Sequence, residues 1–567
     1  MLISHNLMPE TSATPPPSPA ILFLPEGYQT TQADMMGLRV ANRSFLQGLI
    51  RHGGLNTLRG YAPQQEGFAT SFEQIARDLG AEVPVRMIEG HRLDQLAEVG
   101  GLVVLDPNLG AFARHRSFIG SHAYALTGVT HAPVISMMAD LAVAPVQPWD
   151  ALVCTSHAVA SALEQVLGAE EARLAERLGA ARFPRPLLPV IPLGVNATEF
   201  TYRGEWRVAW RERLGIAAED VVALYVGRLS RHGKAHPLPM LAALGRAARS
   251  LPKRLHLILA GWWLHPPEEA IWREQAVAFC PEVPLHILDG RDEGVRREIR
   301  SAADFFTLLV DNVQESFGLA PVEAMAAGLP VVAADWDGFR DTVRHGVDGI
   351  LVPTLMAPPS EAGEIALRHA TSNINYGAFL SLTARLTAVD IGSAATAYRA
   401  LAADPALRRR MGEAGQARVR AVFDWSAVIP QYQALWREQQ AIRLAAPATE
   451  VRPDPRHMDP TQAFAAWPSA AFHITERLRA EPAAATADLS ALLRFTAPSL
   501  PSELDETEIA GLLAELQRRN EAQVDELLQV LEPAKRSAGR RAALWLLRTG
   551  LAVQANIAPD AFDIRRI

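Results

Sequence analysis

Short apolar runs alternate with segments of helical periodicity along most of this chain, and this alternation limits the folds that it can adopt. In the first 200 residues the runs include AILFLPEG, GLVVLD and DALVCT, each followed by a helix-like segment. After about residue 200 the pattern restarts, with the runs VVALYVGR, LHLILAG, PLHILDG, FFTLLV, PVVAAD and GILVPT. Strands that alternate with helices form parallel sheets covered by helices on both faces, so we predict an α/β protein with two such domains. A ligand site is expected in the cleft between them, at the carboxyl ends of the strands.

The length of the chain and the shifts in its composition predict how it divides. At 567 residues it is too long for one hydrophobic core. We predict a Pro-rich disordered leader at residues 1–19, a first α/β domain at 20–199, a second at 200–430, a helix returning to the first domain at 431–446, a Pro-rich linker at 447–460 and a helical appendage at 461–567. Residues 358–390 exceed a simple loop and are predicted to add a helix or two to the second domain.

Composition and charge exclude several classes of function. About half of the residues are apolar and a fifth are charged, as in ordinary globular proteins. The net charge of −7 argues against a mainly electrostatic nucleic-acid binder. The two cysteines, Cys154 and Cys280, lie in apolar runs and give no disulfide framework, which suits a reducing compartment. With no apolar run of about 18 residues and no signal-peptide pattern, a cytoplasmic protein is expected.

The stretch QESFGLAPVEAMAAGLPVVAADWDGF, residues 314–339, is the most informative in the chain. It places Glu315 in a loop after the predicted strand 305–310, and Glu323 one to two turns into the helix that follows. A helix N-terminus offers unpaired backbone N–H groups to a phosphate, and Gly318 lets a bulky anion approach the backbone. Eight residues span about 12 Å on a helix, more than the roughly 5–9.5 Å between the paired carboxylates of a glycoside hydrolase. The spacing suits two carboxylates that hold hydroxyl groups on either side of a diphosphate.

These residues resemble the E-x7-E signature of retaining GT-B glycosyltransferases of the family 4 type. The resemblance implies a GT-B fold, in which two Rossmann-like domains face a cleft. It also implies that Glu315 lies by the transferred sugar and that Glu323 holds the ribose hydroxyls of the nucleotide. The backbone that would meet the donor phosphates consists of Ser316, Phe317, Gly318 and Leu319.

A second element of the same resemblance is YVGRLSRHGKAHPLPMLAAL, residues 225–244. It is similar to the family's strand-G-R-loop-K-helix element, whose Arg and Lys neutralise the donor diphosphate, and the matching residues here are Arg228 and Lys234. The family usually places the Lys five residues after the Arg and before a Gly, whereas here it comes six after, with Gly233 before it. Only three of the 55 basic residues are lysines, so a Lys at this point is notable. Arg231 is the reserve candidate for the second cation.

Two residues of the first domain complete the predicted site. His131, in YALTGVTHAP, follows an apolar run and matches the family's active-site His near the sugar. Gly37 lies in QADMMGLRVANRSF, a loop entering the first helix that approaches the donor phosphate or the acceptor in the family. The usual Gly-Gly pair is missing here, and only Gly37 remains.

Other tempting features favour structural roles. Asp335 and Asp337 form a D-x-D by letters, the pattern that holds a metal-bound diphosphate in GT-A enzymes, but their position after a strand is typical of a turn. Scattered His and Asp residues lack metal-ligand spacing, so we expect no metal and no cofactor. Residues 540–555, RRAALWLLRTGLAVQA, could form a peripheral membrane helix, although packing against neighbouring helices is favoured.

The sequence therefore predicts a metal-independent, retaining glycosyltransferase. It would move a sugar from a nucleotide diphosphate sugar to a hydroxyl acceptor, with the donor in the second domain and the acceptor in the first. Two alternatives stay open, a nucleotide-sugar epimerase on the same fold and a non-catalytic sugar-binding or scaffold protein. The nucleotide base, the sugar, the acceptor and the oligomeric state are not predicted. A phosphorylase is disfavoured because neither Lys253 nor Lys535 is placed to hold a Schiff-base cofactor.

Overall fold

The chain divides into two compact units, Met1–Pro455 and Arg456–Ile567. The computed structural model describes residues 17–28, 37–63, 67–263, 267–447, 449–496 and 505–556. All but the last three residues of the predicted leader, 1–19, lie outside this part of the chain. None of the described helices combines the length and the apolar composition needed to cross a membrane.

The first domain is built on a parallel sheet of six strands, in the order β3-β2-β1-β4-β5-β6. This order, 3-2-1-4-5-6, is that of the dinucleotide-binding Rossmann fold. The strands are β1 (Ala20–Leu22), β2 (Leu58–Ala62), β3 (Val85–Glu89), β4 (Gly101–Val104), β5 (Ala125–Thr130) and β6 (Ala151–Cys154). The helices are α1 (Gly37–His52), α2 (Phe68–Asp78), α3 (Leu93–Val99), α4 (Leu109–Arg116), α5 (Ile135–Asp140) and α6 (His157–Leu178).

The second domain repeats this topology. Its strands form a second parallel sheet in the order β12-β11-β10-β7-β8-β9. Read from the opposite edge, and numbered from β7 as its first strand, this order is again 3-2-1-4-5-6. They are β7 (Val221–Val226), β8 (Leu255–Gly261), β9 (Leu285–Asp289), β10 (Phe305–Leu308), β11 (Val331–Ala334) and β12 (Gly349–Val352). The helices are α7 (Gly204–Leu214), α8 (Pro237–Ala248), α9 (Pro267–Phe279), α10 (Glu293–Glu298), α11 (Leu319–Ala326) and α12 (Phe339–Thr342). The predicted fold class, two Rossmann-like domains, is confirmed.

An insertion and three long helices follow β12. The insertion consists of β13 (Thr354–Met356), α13 (Gly363–Ala370), α14 (Tyr376–Ala384) and β14 (Thr387–Val389), and its two strands pair antiparallel. The long helices are α15 (Ile391–Ala403), α16 (Pro405–Arg418) and α17 (Trp425–Ala445), with a π-helical turn at Val419–Phe423. The two helices predicted in the insertion are present, and the strand pair is an addition that sequence reasoning did not supply.

Helix α17 returns to the first domain. Trp425 Nε1 donates to Ser44 Oγ at 2.8 Å, and the buried Gln439 bonds Thr127 Oγ1 and the Leu126 carbonyl, both at 2.8 Å. The helix begins at Trp425, where Asp424 caps it by accepting from Ser426 N, so it starts six residues ahead of the predicted segment 431–446. The chain crosses between the domains twice, side by side, where Val195 N donates to the Phe423 carbonyl at 2.8 Å.

The predicted linker, 447–460, is not a free tether along its first part. Ser121 Oγ and Thr449 Oγ1 lie 2.8 Å apart, Asp454 N donates to Ser117 Oγ at 2.9 Å, and the Asp454 carboxylate lies 3.5 Å from Arg114. These contacts attach residues 449–454 to the first domain, and the division between the two units falls just after them, at Pro455.

Residues 461–567 are predicted to be helical, but the second unit also contains strands. It contains a three-stranded antiparallel sheet in the order β16-β15-β17, whose strands of three or four residues are too short to give a periodic pattern. The elements are α18 (Pro460–Ala463), β15 (Arg477–Ala480), α19 (Leu489–Thr496), α20 (Glu506–Arg519), β16 (Glu521–Gln523), α21 (Val524–Leu527), α22 (Arg536–Arg548) and β17 (Ala552–Gln554). Ala542, Ala543 and Leu546 of α22 are buried in the core of this unit, which supports the packing interpretation of residues 540–555.

Candidate active site

The loop from β10 to α11, residues 309–318, lies at the carboxyl end of a central strand of the second sheet. Its last residue, Gly318, is the N-cap of α11, has a left-handed backbone (φ +97°) and contributes no side-chain hydrogen bond to the helix. A β-carbon on Gly318 would lie 2.3 Å from Phe339 Cε1, so only glycine fits. The first turn of α11 is thus presented through backbone alone, as a phosphate site requires.

Asn312 fixes the path of this loop and was missed by sequence reasoning. It is 2% exposed, its Nδ2 donates to the His232 carbonyl at 2.7 Å, and its carbonyl accepts from Trp336 Nε1 at 3.1 Å. Its Oδ1 also accepts from Gln314 N at 2.9 Å. Through its side-chain amide and its backbone carbonyl, Asn312 therefore ties the β10–α11 loop to the loops that follow β7 and β11.

Lys234 and Glu315 form an ion pair between two of these loops. The Lys234 ammonium donates to Glu315 Oε2, and the two side chains are 19% and 13% exposed. Lys234 N donates to the Ser230 carbonyl at 3.2 Å and Gly233 N to Ser230 Oγ at 3.1 Å, so the extra residue is taken up in a tight turn. The structure thereby brings together two of the residues predicted for the site.

The two predicted arginines near Lys234 differ in their surroundings. Arg228 is half-buried in the same turn, with Nη2 3.4 Å from the Gly233 carbonyl. Arg231, the reserve candidate, has its side chain 3.6 Å from the Glu268 carboxylate, and its backbone N–H donates to the same carboxylate. Arg228 therefore makes the weaker contact with a protein group and remains the stronger candidate for binding the diphosphate.

Glu323 lies on the second turn of α11 and pairs with an arginine that sequence reasoning did not single out. Arg300 Nη2 donates to Glu323 Oε2, and the side chains are 4% and 17% exposed. Burial raises the pKa of Glu323, and the positive charge of Arg300 is the largest influence against that rise. No local pattern marks Arg300, because its partner is 23 residues away in the sequence.

His131, in the first domain, contacts the β10–α11 loop. It follows β5, and its carbonyl accepts from Ser316 Oγ at 2.8 Å. Thr155 Oγ1 bridges the same place, at 3.1 Å from the Thr130 carbonyl and 3.2 Å from the Ser316 carbonyl. Burial lowers the pKa of His131 to about 4, so the imidazole is neutral at pH 7, and its buried Nε2 has no partner among the described residues.

A second contact joins the two domains beside the first. His157, at the start of α6, donates from its backbone N–H to Asp341 at 2.6 Å, and Ser156 Oγ lies 3.4 Å from Asp337 Oδ1. Asp337 has a left-handed backbone, with φ +44°. Burial, with the charge of Glu315 adding to it, raises the pKa of Asp337 to about 7. The predicted turn at Asp335 and Asp337 is observed, and in addition it brings a perturbed carboxyl to the cleft.

Phe317 and Gly37 are the two predicted site residues that remain. Phe317 is buried and contacts Phe423 edge to face, at 5.7 Å between ring centroids. Gly37 is the first residue of α1, and the segment just before it, 29–36, lies outside the described residues. Within the part of the chain that the structure covers, no three His, Cys, Asp or Glu side chains are grouped to hold a metal ion.

Comparison with known proteins gives a match to the second domain. Residues 207–358 match the family described as glycosyl transferases group 1. The D-inositol 3-phosphate glycosyltransferase of Geodermatophilus obscurus is 40% identical over 200 residues, and that of Nocardia farcinica is 34% identical over 200 residues. Each alignment covers 32% of this chain and 40% of the relative, so the chain spans less than half the length of these curated relatives.

Solved structures with a similar backbone are more distant in sequence. The crystal structure of Anabaena Alr3699/HepE in complex with UDP has a TM-score of 0.48 at 17% identity, covering 74% of this chain and 100% of that chain. Sucrose-phosphate synthase from Thermosynechococcus elongatus has a TM-score of 0.44 at 18% identity, covering 75% of this chain and 100% of that chain.

The family match and the topology agree with each other. The matched segment contains all six strands of the second sheet together with Lys234, Glu315 and Glu323. Both sheets have the Rossmann strand order, and the chain crosses back to the first domain through α17. The family match therefore falls on the second of two Rossmann-like domains.

Proposed function

We propose that this protein is a retaining glycosyltransferase that moves a sugar from a nucleotide diphosphate sugar to a hydroxyl acceptor. The observation that carries the proposal is the placement of Lys234 on Glu315, directly before the glycine-capped N-terminus of α11. A cation, a carboxylate and a backbone anion site at one place suit a charged diphosphate that carries a polyhydroxylated group. The similarity to relatives named D-inositol 3-phosphate glycosyltransferase supports the same reaction class.

The leaving diphosphate would be held by the second domain. The backbone of Ser316, Phe317, Gly318 and Leu319 faces its oxygens, and Lys234 and Arg228 supply positive charge. When the bond from the sugar to the phosphate breaks, negative charge grows on the leaving oxygen. Fixed cations and helix N–H groups stabilise that charge more than they stabilise the ground state, and this difference is what accelerates the reaction.

The sugar would lie between the two domains. Glu315 would accept hydrogen bonds from its hydroxyl groups, and His131 faces the loop that contains Glu315. Because its pKa is lowered to about 4, His131 is a neutral hydrogen-bonding group rather than a cation at pH 7. Catalysis would therefore rest on positioning and on stabilisation of the diphosphate, without a strong base.

Contacts between the domains would exclude water from this reaction. Ser316 donates to the His131 carbonyl and His157 N donates to Asp341, so two hydrogen bonds join the two domains near the β10–α11 loop. A glycosyl group that is activated toward a hydroxyl acceptor is also activated toward water, so exclusion of water limits hydrolysis of the donor.

The proposal is tested by giving the two glutamates separate measurements. Glu323 would hold ribose hydroxyls equally in the ground and transition states, so Glu323→Gln should weaken binding of the free nucleoside diphosphate by about 1–3 kcal/mol. Glu315 would act where charge develops, so Glu315→Gln should bind the nucleoside diphosphate nearly as the wild type does and lose most of its turnover.

Calorimetry with uridine, adenosine and guanosine diphosphates gives the affinity, and consumption of the matching nucleotide sugar gives the turnover. Glu364→Ala, an exposed position on α13, is the control and should change neither quantity. If both glutamine variants keep wild-type affinity and turnover, the assignment of the site is wrong. Product formed from the nucleotide sugar alone, with the nucleoside diphosphate still attached, would instead indicate an epimerase.

A further inference from the structure

Arg300 is the most deeply buried charged side chain in contact with the proposed site. It lies in the turn just before β10, and its side chain is 4% exposed. Its Nη2 donates to Glu323 Oε2, and its Nη1 donates to the Arg296 carbonyl at 2.6 Å. The guanidinium also stacks over the Phe200 ring, 4.8 Å from its centroid. These contacts hold the group in one orientation.

The ion pair of Asp304 with Arg207 and Arg211, in the same domain, is a comparison for the pair of Arg300 with Glu323. Asp304 accepts from Arg207 on one oxygen and from Arg211 on the other, and the second oxygen also accepts from Val222 N. Both oxygens of Asp304 are therefore occupied, and its side chain is 8% exposed.

Glu323 is bonded on one oxygen only. Arg300 takes Oε2, no hydrogen bond from another described residue reaches Oε1, and the side chain is 17% exposed. A buried ion pair costs desolvation that an apolar pair of similar size would avoid. A pair that leaves one oxygen of the carboxylate available is suited to present that oxygen to a ligand.

The charges around Glu323 make Arg300 the decisive partner. Lys234 and Arg296 also act on the Glu323 carboxylate, and Glu199, itself close to Arg51, is the negative group that faces it. Burial favours the protonated form of Glu323, and a protonated carboxyl is a weaker acceptor than a carboxylate. Removing Arg300 would take away the largest of the charges that favour the Glu323 carboxylate, against burial and the charge of Glu199.

We propose that Arg300 is a positioning residue that keeps Glu323 ionised and its second oxygen directed at the vicinal hydroxyls of a ribose, so that the protein selects ribonucleotides over 2′-deoxyribonucleotides. This inference rests on the proposed function, because it takes the ligand of Glu323 to be a nucleoside diphosphate. Its chemistry is specific, since a carboxylate accepts two hydrogen bonds from a cis-diol and fewer once the 2′-hydroxyl is gone.

The test is the ratio of two affinities measured on the same protein. Each of the uridine, adenosine and guanosine diphosphates is titrated against its 2′-deoxy counterpart, with wild type, Arg300→Met, Arg300→Lys and the control Arg211→Lys. A hydrogen bond to a charged group implies a preference for ribose of roughly tenfold or more in the wild type. We expect Arg300→Met to bring the ratio to within about twofold of unity and Arg300→Lys to restore part of it.

The ratio separates positioning from a general loss of stability. Arg211 is as buried as Arg300 and pairs with Asp304, so Arg211→Lys disturbs a similar ion pair yet should keep the wild-type ratio. Arg300→Met should also regain preference for ribose as the pH is raised from 6 to 8.5, because a higher pH favours the ionised Glu323 carboxylate. The control should show no such pH dependence.

The outcomes distinguish this inference from the proposed function. If the wild type prefers ribonucleotides and Arg300→Met keeps the full preference at every pH, Arg300 does not position Glu323 and the inference is wrong. If the wild type binds no nucleoside diphosphate at all, the proposed function fails, and this inference fails with it.

Discussion

Replacement of Asp337 by asparagine should make the protein more stable at alkaline pH and leave its stability unchanged in acid. Asp337 is half-buried at the mouth of the cleft, with Ser156 Oγ 3.4 Å away. Burial and the charge of Glu315 raise the pKa of its carboxyl from 3.8 to about 7. Asparagine keeps the size of the side chain and tolerates the left-handed backbone at φ +44°, but it cannot ionise.

The sign and size follow from linkage between folding and protonation. A carboxyl whose pKa is higher in the folded protein stabilises the fold while it is protonated, below about pH 4. That stability is lost as the pH rises toward 7, because the unfolded chain gives up its proton first. Between pH 5 and pH 7 the loss is about 1.4 kcal/mol for each pH unit. The advantage of Asp337→Asn over wild type should therefore grow by about 2–3 kcal/mol between pH 5 and pH 8.

Thermal unfolding of the ligand-free chain at pH 5, 6, 7 and 8 measures this difference. A gain of 2–3 kcal/mol corresponds to a rise in Tm of about 2–3 °C in a unit of 455 residues, whose unfolding entropy is about 1 kcal/mol per degree. Asp335→Asn is the matched control, since Asp335 lies two residues away, is 41% exposed and pairs with Arg340. A Tm difference between Asp337→Asn and wild type that stays constant across this range, or that shrinks as the pH rises, would refute the raised pKa of Asp337.

Two further predictions concern the metal and the second unit. Turnover should be unchanged by excess chelator, because in the proposed function Lys234 and Arg228 would supply the positive charge that a metal ion would otherwise bring; a large loss with chelator would instead favour a metal-binding role for Asp335 and Asp337. A chain ending at Pro455 should still bind nucleoside diphosphate with the affinity of the full chain, because the contacts of Thr449 and Asp454 with the first domain are retained; loss of that binding, measured by calorimetry, would show that residues 456–567 are needed for the site.

Buried central strands were the most predictable part of the fold. The runs VVALYV and FFTL are buried at nearly every position, so they read as continuous apolar segments, and they became β7 and β10. Strand β3, with the sequence VRMIE, gave no such signal. It lies at the edge of the first sheet, where Arg86 and Glu89 are exposed, and its composition resembles that of a loop. Strand β3 was not identified for this reason. Strand β2, LRGYA, is mostly buried, and it was not identified because Arg59 and Gly60 interrupt its short apolar run.

The residues of the site were predictable only where they lie close together in a motif. Glu315, Gly318 and Glu323 fall within nine positions, and the resemblance to a known signature supplied their meaning. Arg300 and Asn312 act through partners that are distant in the chain, 23 residues away for Glu323 and 80 for His232. Such pairings depend on the register of neighbouring strands and loops, which periodicity does not contain.

The two ion pairs of the site differ in a way that fits the two jobs proposed for the glutamates. Arg300 is 4% exposed, donates to both Glu323 and the Arg296 carbonyl, and stacks on Phe200, so we expect it to stay paired with Glu323. Lys234 is 19% exposed, and its compact ammonium on a flexible stem can move from Glu315 to a phosphate oxygen at little cost in packing. Arrival of a diphosphate would therefore release Glu315 to the sugar while leaving Glu323 unchanged. On this proposal, one of the three lysines of the chain stands where the cation would exchange partners, and an arginine stands where the cation would remain.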